Sequence, residues 1–433
     1  MRTLLILLTC LLAVQGAAAR DMTLDQALRL AENHSYRLKQ ARAGIASAQS
    51  EKSAARAERL PTLSASASAR YTDKVASLSV DIMPGTTFRR ELGTNETYQT
   101  DLTLSLPLYT GGKISSAIDL ADANLAYWQA LEQIDQDRLV YQTRLDYFGF
   151  RLAVAQLKTA RASLDRMKVI NRDVAARFDA GVADSVDLLE SSLALTKAEF
   201  AVTRAELNKS SRRIQLLIRL GLDSSDEINP VDTIPEPQQV SNNPNSADNR
   251  PELAAATASI GMRQAQIGLE KSAYFPSLSA FTGYSYGKPG YDMFADEWKD
   301  NYTVGAHLSW SFNLGNRTGA KKKSAVQTLR AARHYRDDVS ESLNREARLA
   351  VEQLRLAYEQ YRSAADQHEL TSHNYQLARK AHREGALSAN RLLEIEASLT
   401  ESESSLVAAR VDYYLTQSHY FYTVGSEKLR EGI

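Results

Sequence analysis

Apolar and polar positions alternate along this chain with two different periods, and the periods follow one another in the same order twice. Residues Thr23 to Leu60 are filled with Ala, Leu, Arg, Gln and Glu, with Thr23 placed to cap and Pro61 to stop, which predicts a single helix. From Leu63 to Tyr71 small or apolar residues alternate with polar ones, and a period of two predicts a strand. The next two dozen or so residues carry Pro84, Gly85, Gly93 and Asn95 and read as a loop. A second strand puts Tyr98, Thr100, Leu102, Leu104, Leu106 and Leu108 on one face and Gln99, Asp101, Thr103 and Ser105 on the other, until Thr110, Gly111 and Gly112 end it. Lys113 to Ala180 has no proline and one glycine, Gly149, and predicts one very long helix. Beyond a turn at Gly181, a helix from about Ser185 to Leu220 places Leu189, Leu193, Thr196, Phe200, Thr203, Leu207, Ser210, Ile214 and Leu217 at alternating steps of four and three, a heptad seam.

Residues 222–250 change character, with Pro230, Pro235, Pro237, Pro244 and a run of Asn, Ser and Asp, and predict a linker. The pattern then restarts. Pro251 to Tyr274 reads as helix, residues 277–287 and 302–314 as strands around a loop, and Thr318 to Glu384 as the second long helix, with Ala347, Ala350, Leu354, Ala357, Tyr361 and Ala364 in heptad register. After Gly385 its companion continues with Leu392, Ile395, Leu399, Ser402, Leu406, Ala409 and Tyr413. The offset from Gly181 to Gly385 also carries Leu188, Leu189 and Glu190 onto Leu392, Leu393 and Glu394, and a nearly equal offset carries Leu102 onto Leu308 and Leu106 onto Phe312. An internal repeat follows. The first copy spans 20–221, with strands 62–72 and 98–109 and a hairpin tip near 181; 222–250 is a linker or equatorial segment; the second copy spans 251–433, with strands 277–287 and 302–314 and a tip near 385. The fold class is mainly α with a small β part: two long coiled-coil helical hairpins and four β-strands per chain.

Charge and composition narrow the function. With 52 basic and 52 acidic side chains nothing points to nucleic acid. Met1-Arg2-Thr3, an apolar run from Leu4 to Val14 and Ala17-Ala18-Ala19 have the layout of a secretory signal peptide over residues 1–19. That run is shorter than the roughly 20 residues a membrane-spanning helix needs, and no other stretch approaches it. Cys10, the one cysteine, would leave with the signal, so the exported chain has neither disulfides nor cysteine-metal sites. The seven histidines are scattered and read as surface or packing residues. Gly111-Gly112-Lys113 resembles the end of a phosphate loop, but Pro107 stands where a glycine is required and Ile114 follows the lysine, leaving a strand-to-helix turn. No nucleophile, base and orienter set is present, so no enzyme, cofactor or metal is expected.

The element lengths add a constraint. A helix of about 67 residues is roughly 100 Å long, far more than a globular core requires. In each half, the shorter helices before the strands and after the turn would lie end to end beside the long one, with the strands at one end and the glycine turn at the other. Strands of about 10 residues suit a tilted transmembrane β-strand. Four of them cannot close a barrel, and open edges cannot sit in lipid, so several copies must pool their strands. Tyr71, Tyr98, Tyr286 and Tyr302 near strand ends suit an aromatic girdle.

Taken together, Thr23-Leu24-Asp25-Gln26-Ala27-Leu28, the Leu60-Pro61 and Phe275-Pro276 joins, Leu106-Pro107-Leu108-Tyr109-Thr110-Gly111-Gly112, Arg250-Pro251-Glu252-Leu253 and the two glycine tips make the chain resemble the TolC family of outer-membrane efflux ducts over nearly its whole length. The resemblance implies a homotrimer whose strands form a 12-stranded barrel among outer-membrane lipids of a Gram-negative bacterium, above a periplasmic helical tunnel. It also implies a periplasmic adaptor, a membrane fusion protein, and an inner-membrane transporter of ABC, RND or MFS type, with the duct passively conducting substrate for efflux or type I secretion. By position it carries Asp187, Glu190, Arg391 and Glu394 to the periplasmic entrance, and Gly181, Val182, Ala183, Ser185, Gly385, Ala386, Leu387 and Ser388 to the adaptor. Arg391 stands where that family commonly has an aspartate. Three carboxylates about 6 Å apart would repel by roughly 3 kcal/mol per pair at an effective dielectric of 20, unless Arg391 neutralises them. The alternative from the same helical pattern is a soluble periplasmic coiled-coil adaptor or scaffold.

Overall fold

The computed structural model describes residues 20–239, 247–292 and 295–431. The expected signal peptide over 1–19, Cys10 within it, and residues 240–246 of the expected linker lie outside them. In chain order the elements are β1 (Arg20–Met22), α1 (Leu24–His34), α2 (Tyr36–Ala57), β2 (Thr62–Tyr71), β3 (Ala76–Met83), β4 (Thr86–Leu92), β5 (Glu96–Tyr109), α3 (Lys113–Asp179), α4 (Ser185–Leu220), β6 (Ile228–Pro230), a 3-10 turn (Ala247–Asn249), α5 (Pro251–Ser272), β7 (Ser277–Lys288), β8 (Lys299–Ser309), α6 (Arg317–Arg383), α7 (Ala389–Thr423) and a last 3-10 turn (Glu427–Arg430). Two compact units result among the described residues: one holds 43–129, 254–292 and 295–337, the other 20–42, 130–239, 247–253 and 338–431.

Three sequence expectations are corrected. The helix expected from Thr23 to Leu60 is two. Thr23 starts α1 with a capping box, its hydroxyl accepting from Gln26 N–H while the Gln26 side chain accepts from Thr23 N–H. At Ser35 the backbone leaves the helical region, and its hydroxyl accepts from Leu38 N–H at 3.3 Å, so one residue ends α1 and caps α2. The expected loop after β2 contains a β-hairpin. β3 and β4 pair antiparallel from Ala76↔Leu92 to Met83↔Thr86 around Pro84-Gly85, where proline pre-sets one turn residue and Gly85, at φ 91°, takes the left-handed one. The fourth long strand occupies 299–309 rather than 302–314. Its partner β7 begins at Ser277 opposite Ser309, and the preceding Pro276 has no N–H with which to extend the ladder.

The first unit contains an all-antiparallel sheet of order β2-β5-β7-β8, with β2 and β8 as its edges. Its registers align Ala65, Leu102, Tyr284 and Tyr302 in one row across four strands, and Leu63, Leu104, Thr282 and Val304 in the next on the same face.

The second unit is helical and has the larger core. Tyr147, Phe148 and Phe150 of α3 pack among Leu24 and Leu28 of α1, Leu216 and Leu217 of α4, the stripe Ala347, Ala350, Leu354 and Ala357 of α6, and Tyr413 and Tyr414 of α7. Because the heptad positions of α6 are mostly alanine, side chains of α3 and α7 reach deep between the helices. The hydroxyls of Tyr147, Tyr413 and Tyr414 are all bonded. Tyr147 OH donates to Met22 O and to Asp232 Oδ2 at 2.7 Å, Tyr413 OH to Gln238 O and Tyr414 OH to Pro235 O. These bonds strap the proline-rich residues 232–238 to the helices. Burial, together with Asp232, raises the Tyr147 phenol above its ordinary pKa, so it stays a donor. Arg144, buried with no carboxylate partner among the described residues, donates to Ser418 Oγ at 2.9 Å, Leu429 O at 3.2 Å and Glu431 O at 2.7 Å, and burial lowers its pKa to about 10.

Candidate functional site

Two helix-to-helix tips are built on one backbone device. At the end of α3, Gly181 N–H donates to Phe178 O and Val182 N–H to Arg177 O; at the end of α6, Gly385 N–H donates to His382 O and Ala386 N–H to Ala381 O. This bond pair satisfies carbonyls that a helix end would otherwise leave open, and it needs a left-handed residue, supplied by Gly181 at φ 73° and Gly385 at φ 76°. A side chain at either glycine would meet open space, so backbone sign alone selects glycine there. Asp184 then caps α4 by accepting from Asp187 N–H at 2.8 Å, and Ser388 caps α7 by accepting from Arg391 N–H.

The eight expected contact residues divide by exposure. Gly181, Val182, Ser185, Gly385, Ala386 and Ser388 are exposed, whereas Ala183 and Leu387 are half-buried. Leu387 is held: its carbonyl accepts from or faces His382 Nδ1 at 2.8 Å, and its side chain packs on the small core of Ile170, Val174, Tyr375, Leu392 and Ile395. Of the four expected entrance residues, one pair meets. Arg391 Nη1 donates to Glu394 Oε2 at 2.6 Å, both exposed on the first turns of α7. Asp187 is half-buried. Glu190 is exposed and lines, with Leu193, Lys197, Leu393 and Glu396, a groove of about 720 Å³ between α4 and α7; Glu394 does not line it.

Two polar nodes near the tips escape sequence reasoning. His382, 5% exposed, places Nε2 at 3.0 Å from Asp173 Oδ2, while Arg177 donates to the same carboxylate oxygen and, through Nη2, to His382 O at 2.9 Å. This node joins α3 to α6. A turn or two further along, Glu396, 1% exposed, accepts on Oε1 from Ser163, Arg166 and Thr400, and Arg166 makes a two-pronged contact with Glu403. That node joins α3 to α7, and the buried carboxylate is paired with a guanidinium group and two hydroxyls through Oε1. Glu396 has a weak signal in the sequence, a charge directly after Ile395 in a buried run; Asp173 and His382, 209 positions apart, have none.

The heptad seam expected on α4 faces outward from Leu189 to Leu207 and enters the core only at its end, at Leu217. Leu189, Leu193, Phe200 and Leu207 are exposed, and the buried residues of that helix are Ser191, Ala198, Leu216, Leu217 and Leu220. On α6 a second row at heptad spacing, Leu349, Leu356, Leu370 and Leu377, is exposed as well, opposite the buried alanine stripe. The four-stranded sheet is two-faced. One side carries Leu63, Leu102, Leu104, Tyr284, Tyr302, Val304 and Leu308, all exposed; the other carries Ser64, Ser66, Asp101, Thr103, Ser285, Asn301 and Thr303. Among the described residues, no helix is long and apolar enough to cross a membrane.

Residues 27–222 and 244–418 match the outer membrane efflux protein family. Among curated proteins, the cobalt-zinc-cadmium resistance protein CzcC of Cupriavidus metallidurans is 24% identical over 186 residues, 42% of this chain and 44% of that one. The outer membrane protein OprJ of Pseudomonas aeruginosa is 27% identical over 305 residues, 67% of this chain and 59% of that one, so the matched stretches span about half the length of these two relatives. Among solved structures, the outer-membrane channel OprN superposes with a TM-score of 0.78 at 20% identity, covering 94% of this chain and 91% of that chain. VceC of Vibrio cholerae does so with 0.77 at 17% identity, covering 93% and 96%.

Proposed function

The chain belongs to the outer membrane efflux protein family, which places it in the outer membrane and among channels rather than enzymes, and on that premise we propose that three copies form a passive exit duct. The observation that carries this is the open, two-faced sheet. Its apolar side has no cover among the described residues, and its polar side suits a water-filled lumen. β2 and β8 run in opposite directions, so β8 of one copy joins β2 of the next as an antiparallel pair, and the ring closes without a change of pattern. Three copies of four strands make a 12-stranded barrel. The exposed leucines of α4 and α6 are then covered by neighbouring copies, which explains why a heptad seam is left bare in one chain. The mass of the detergent-solubilised protein, measured by light scattering with the micelle subtracted, is expected to equal three chains; a monomer recovered without detergent would sink the duct.

In this reading the tips at Gly181 to Ser185 and Gly385 to Ser388 meet a periplasmic adaptor, which connects the duct to an inner-membrane transporter of ABC, RND or MFS type. Asp187, Glu190, Arg391 and Glu394 lie at the entrance. Each Glu394 arrives with Arg391 bonded to it, so a ring of three such pairs carries no net charge. Both side chains are exposed, and the pair itself contributes little stability, about 0–1 kcal/mol. Its effect is on ions. Arg391→Ala leaves three uncompensated carboxylates and should shift reversal potential toward cation selectivity and sensitise the channel to block by divalent cations in planar bilayers. Glu394→Ala should shift selectivity the opposite way. Identical reversal potentials in both variants would remove the pair from the conducting path.

A further inference from the structure

Between α3, α6 and α7, close to the tip of the second hairpin, lies a half-enclosed cavity of about 330 Å³ that the duct reading does not use. Its floor is apolar and buried, made by Ile170, Leu392 and the ring of Tyr375, with Val169 as one wall. Its charged rim is uneven. Arg166 is occupied by Glu396 and Glu403, and Asp173 by Arg177 and His382. Arg379 and Arg383, one turn apart on α6, have no anionic partner among the described residues, and against them stands only Asp165, exposed on α3. The Tyr375 hydroxyl makes no hydrogen bond to a described residue and sits in the field of Arg379, Arg166 and Arg383; burial raises its pKa while these guanidinium groups act against the rise, so it remains protonated and able to donate.

Two unpaired guanidinium groups and a phenol donor over a buried apolar floor define a ligand chemistry. We propose that this cavity binds a small organic anion, a carboxylate or sulfonate on a flat apolar body of one or two fused rings. The anionic group accepts from Arg379, Arg383 and the Tyr375 hydroxyl, and the apolar body covers Ile170, Leu392 and Val169. The volume lies at the lower end of small-molecule sites, and the floor is set too deep among three helices of one chain for a flat protein surface to fill it. An anion seated there touches α3, α6 and α7 together and holds them against separation. That consequence for opening rests on the duct reading; the binding does not.

Binding is therefore measured without reference to conduction. Full-length protein in dodecyl maltoside is titrated calorimetrically with 2-naphthoate and with its neutral counterpart, 2-naphthalenemethanol, against empty micelles. Saturable binding of naphthoate is expected, at least about tenfold weaker for the alcohol and for the Arg379→Gln, Arg383→Gln double variant, whose replaced side chains are exposed and leave the helices intact by circular dichroism. Location is read separately. A cysteine introduced by Val169→Cys should react with a maleimide severalfold more slowly in the presence of naphthoate, and at an unchanged rate in the presence of the alcohol. Equal uptake of acid and alcohol, affinity unaffected by the double variant, or unprotected labelling at position 169 would each overturn the site.

Discussion

Leu102→Arg should abolish assembly of the barrel, whereas Thr103→Arg, one residue along the same strand, should leave it standing. Leu102 lies in the row Ala65, Leu102, Tyr284, Tyr302 on the apolar face, near the middle of the strands, and Thr103 points to the polar face with Ser64 and Thr303. An arginine facing lipid near the bilayer midplane costs about 2–4 kcal/mol, so three copies in one ring lose about 6–12 kcal/mol, enough to undo assembly. An arginine facing the lumen meets water, and its three copies should change conductance and selectivity while the oligomer persists. The readout is oligomer mass in detergent together with single-channel conductance. Equal tolerance of both substitutions would mean that neither face of this sheet meets lipid.

The second large effect is expected in the helical core. Tyr147→Ala removes a ring with 0% exposure and should cost about 3–5 kcal/mol, as deletion of a fully buried aromatic does. Tyr147→Phe keeps the ring and loses only the hydroxyl, which takes one bond each from the Met22 carbonyl and Asp232; Met22 O still accepts from Val231 N–H at 3.2 Å and Asp232 from Leu24 N–H at 2.7 Å. With both acceptors still paired, the cost expected there is about 0.5–1.5 kcal/mol. The order of thermal midpoints, followed by helical circular dichroism, should be wild type, then Tyr147→Phe, then Tyr147→Ala. Because the hydroxyl also holds Asp232, proteolysis around that residue should rise already in the phenylalanine variant. A phenylalanine variant as unstable as the alanine one would mean that the bonds, rather than the ring, dominate.

What could be read from the sequence follows from which features are local. The buried stripe Ala347, Ala350, Leu354, Ala357, Tyr361 and Ala364 was visible because one helix face repeats it at a fixed step. The tips were visible because only glycine takes the left-handed turn between two helices cheaply, and Arg391 with Glu394 stands at a spacing that meets on any helix. Ser35 was not, since serine inside a helix and serine between two helices look alike until the backbone angles are known. Leu78, Val80 and Ile82 alternate as a strand should, yet Pro84 and Gly85 draw the eye to a loop when they mark a two-residue turn. That the α4 seam from Leu189 to Leu207 has no cover among the described residues also lies beyond sequence: a heptad states that a helix wants a neighbour, never whose. The Asp173 to His382 and Ser163 to Glu396 contacts join residues more than 200 positions apart, and nothing near either end announces them.

The bare rows of Leu349, Leu356, Leu370 and Leu377 on α6, and of Leu189, Leu193, Phe200 and Leu207 on α4, bear on biogenesis. If three copies form the duct as proposed, each exported chain carries two strips of apolar surface and two open strand edges through an aqueous compartment before it meets its neighbours. Encounter of copies competes with degradation during that interval, and encounter depends steeply on how many copies are waiting. Yield of finished ducts should therefore fall faster than the rate of synthesis: a promoter weakened twofold leaves fewer than half the exits.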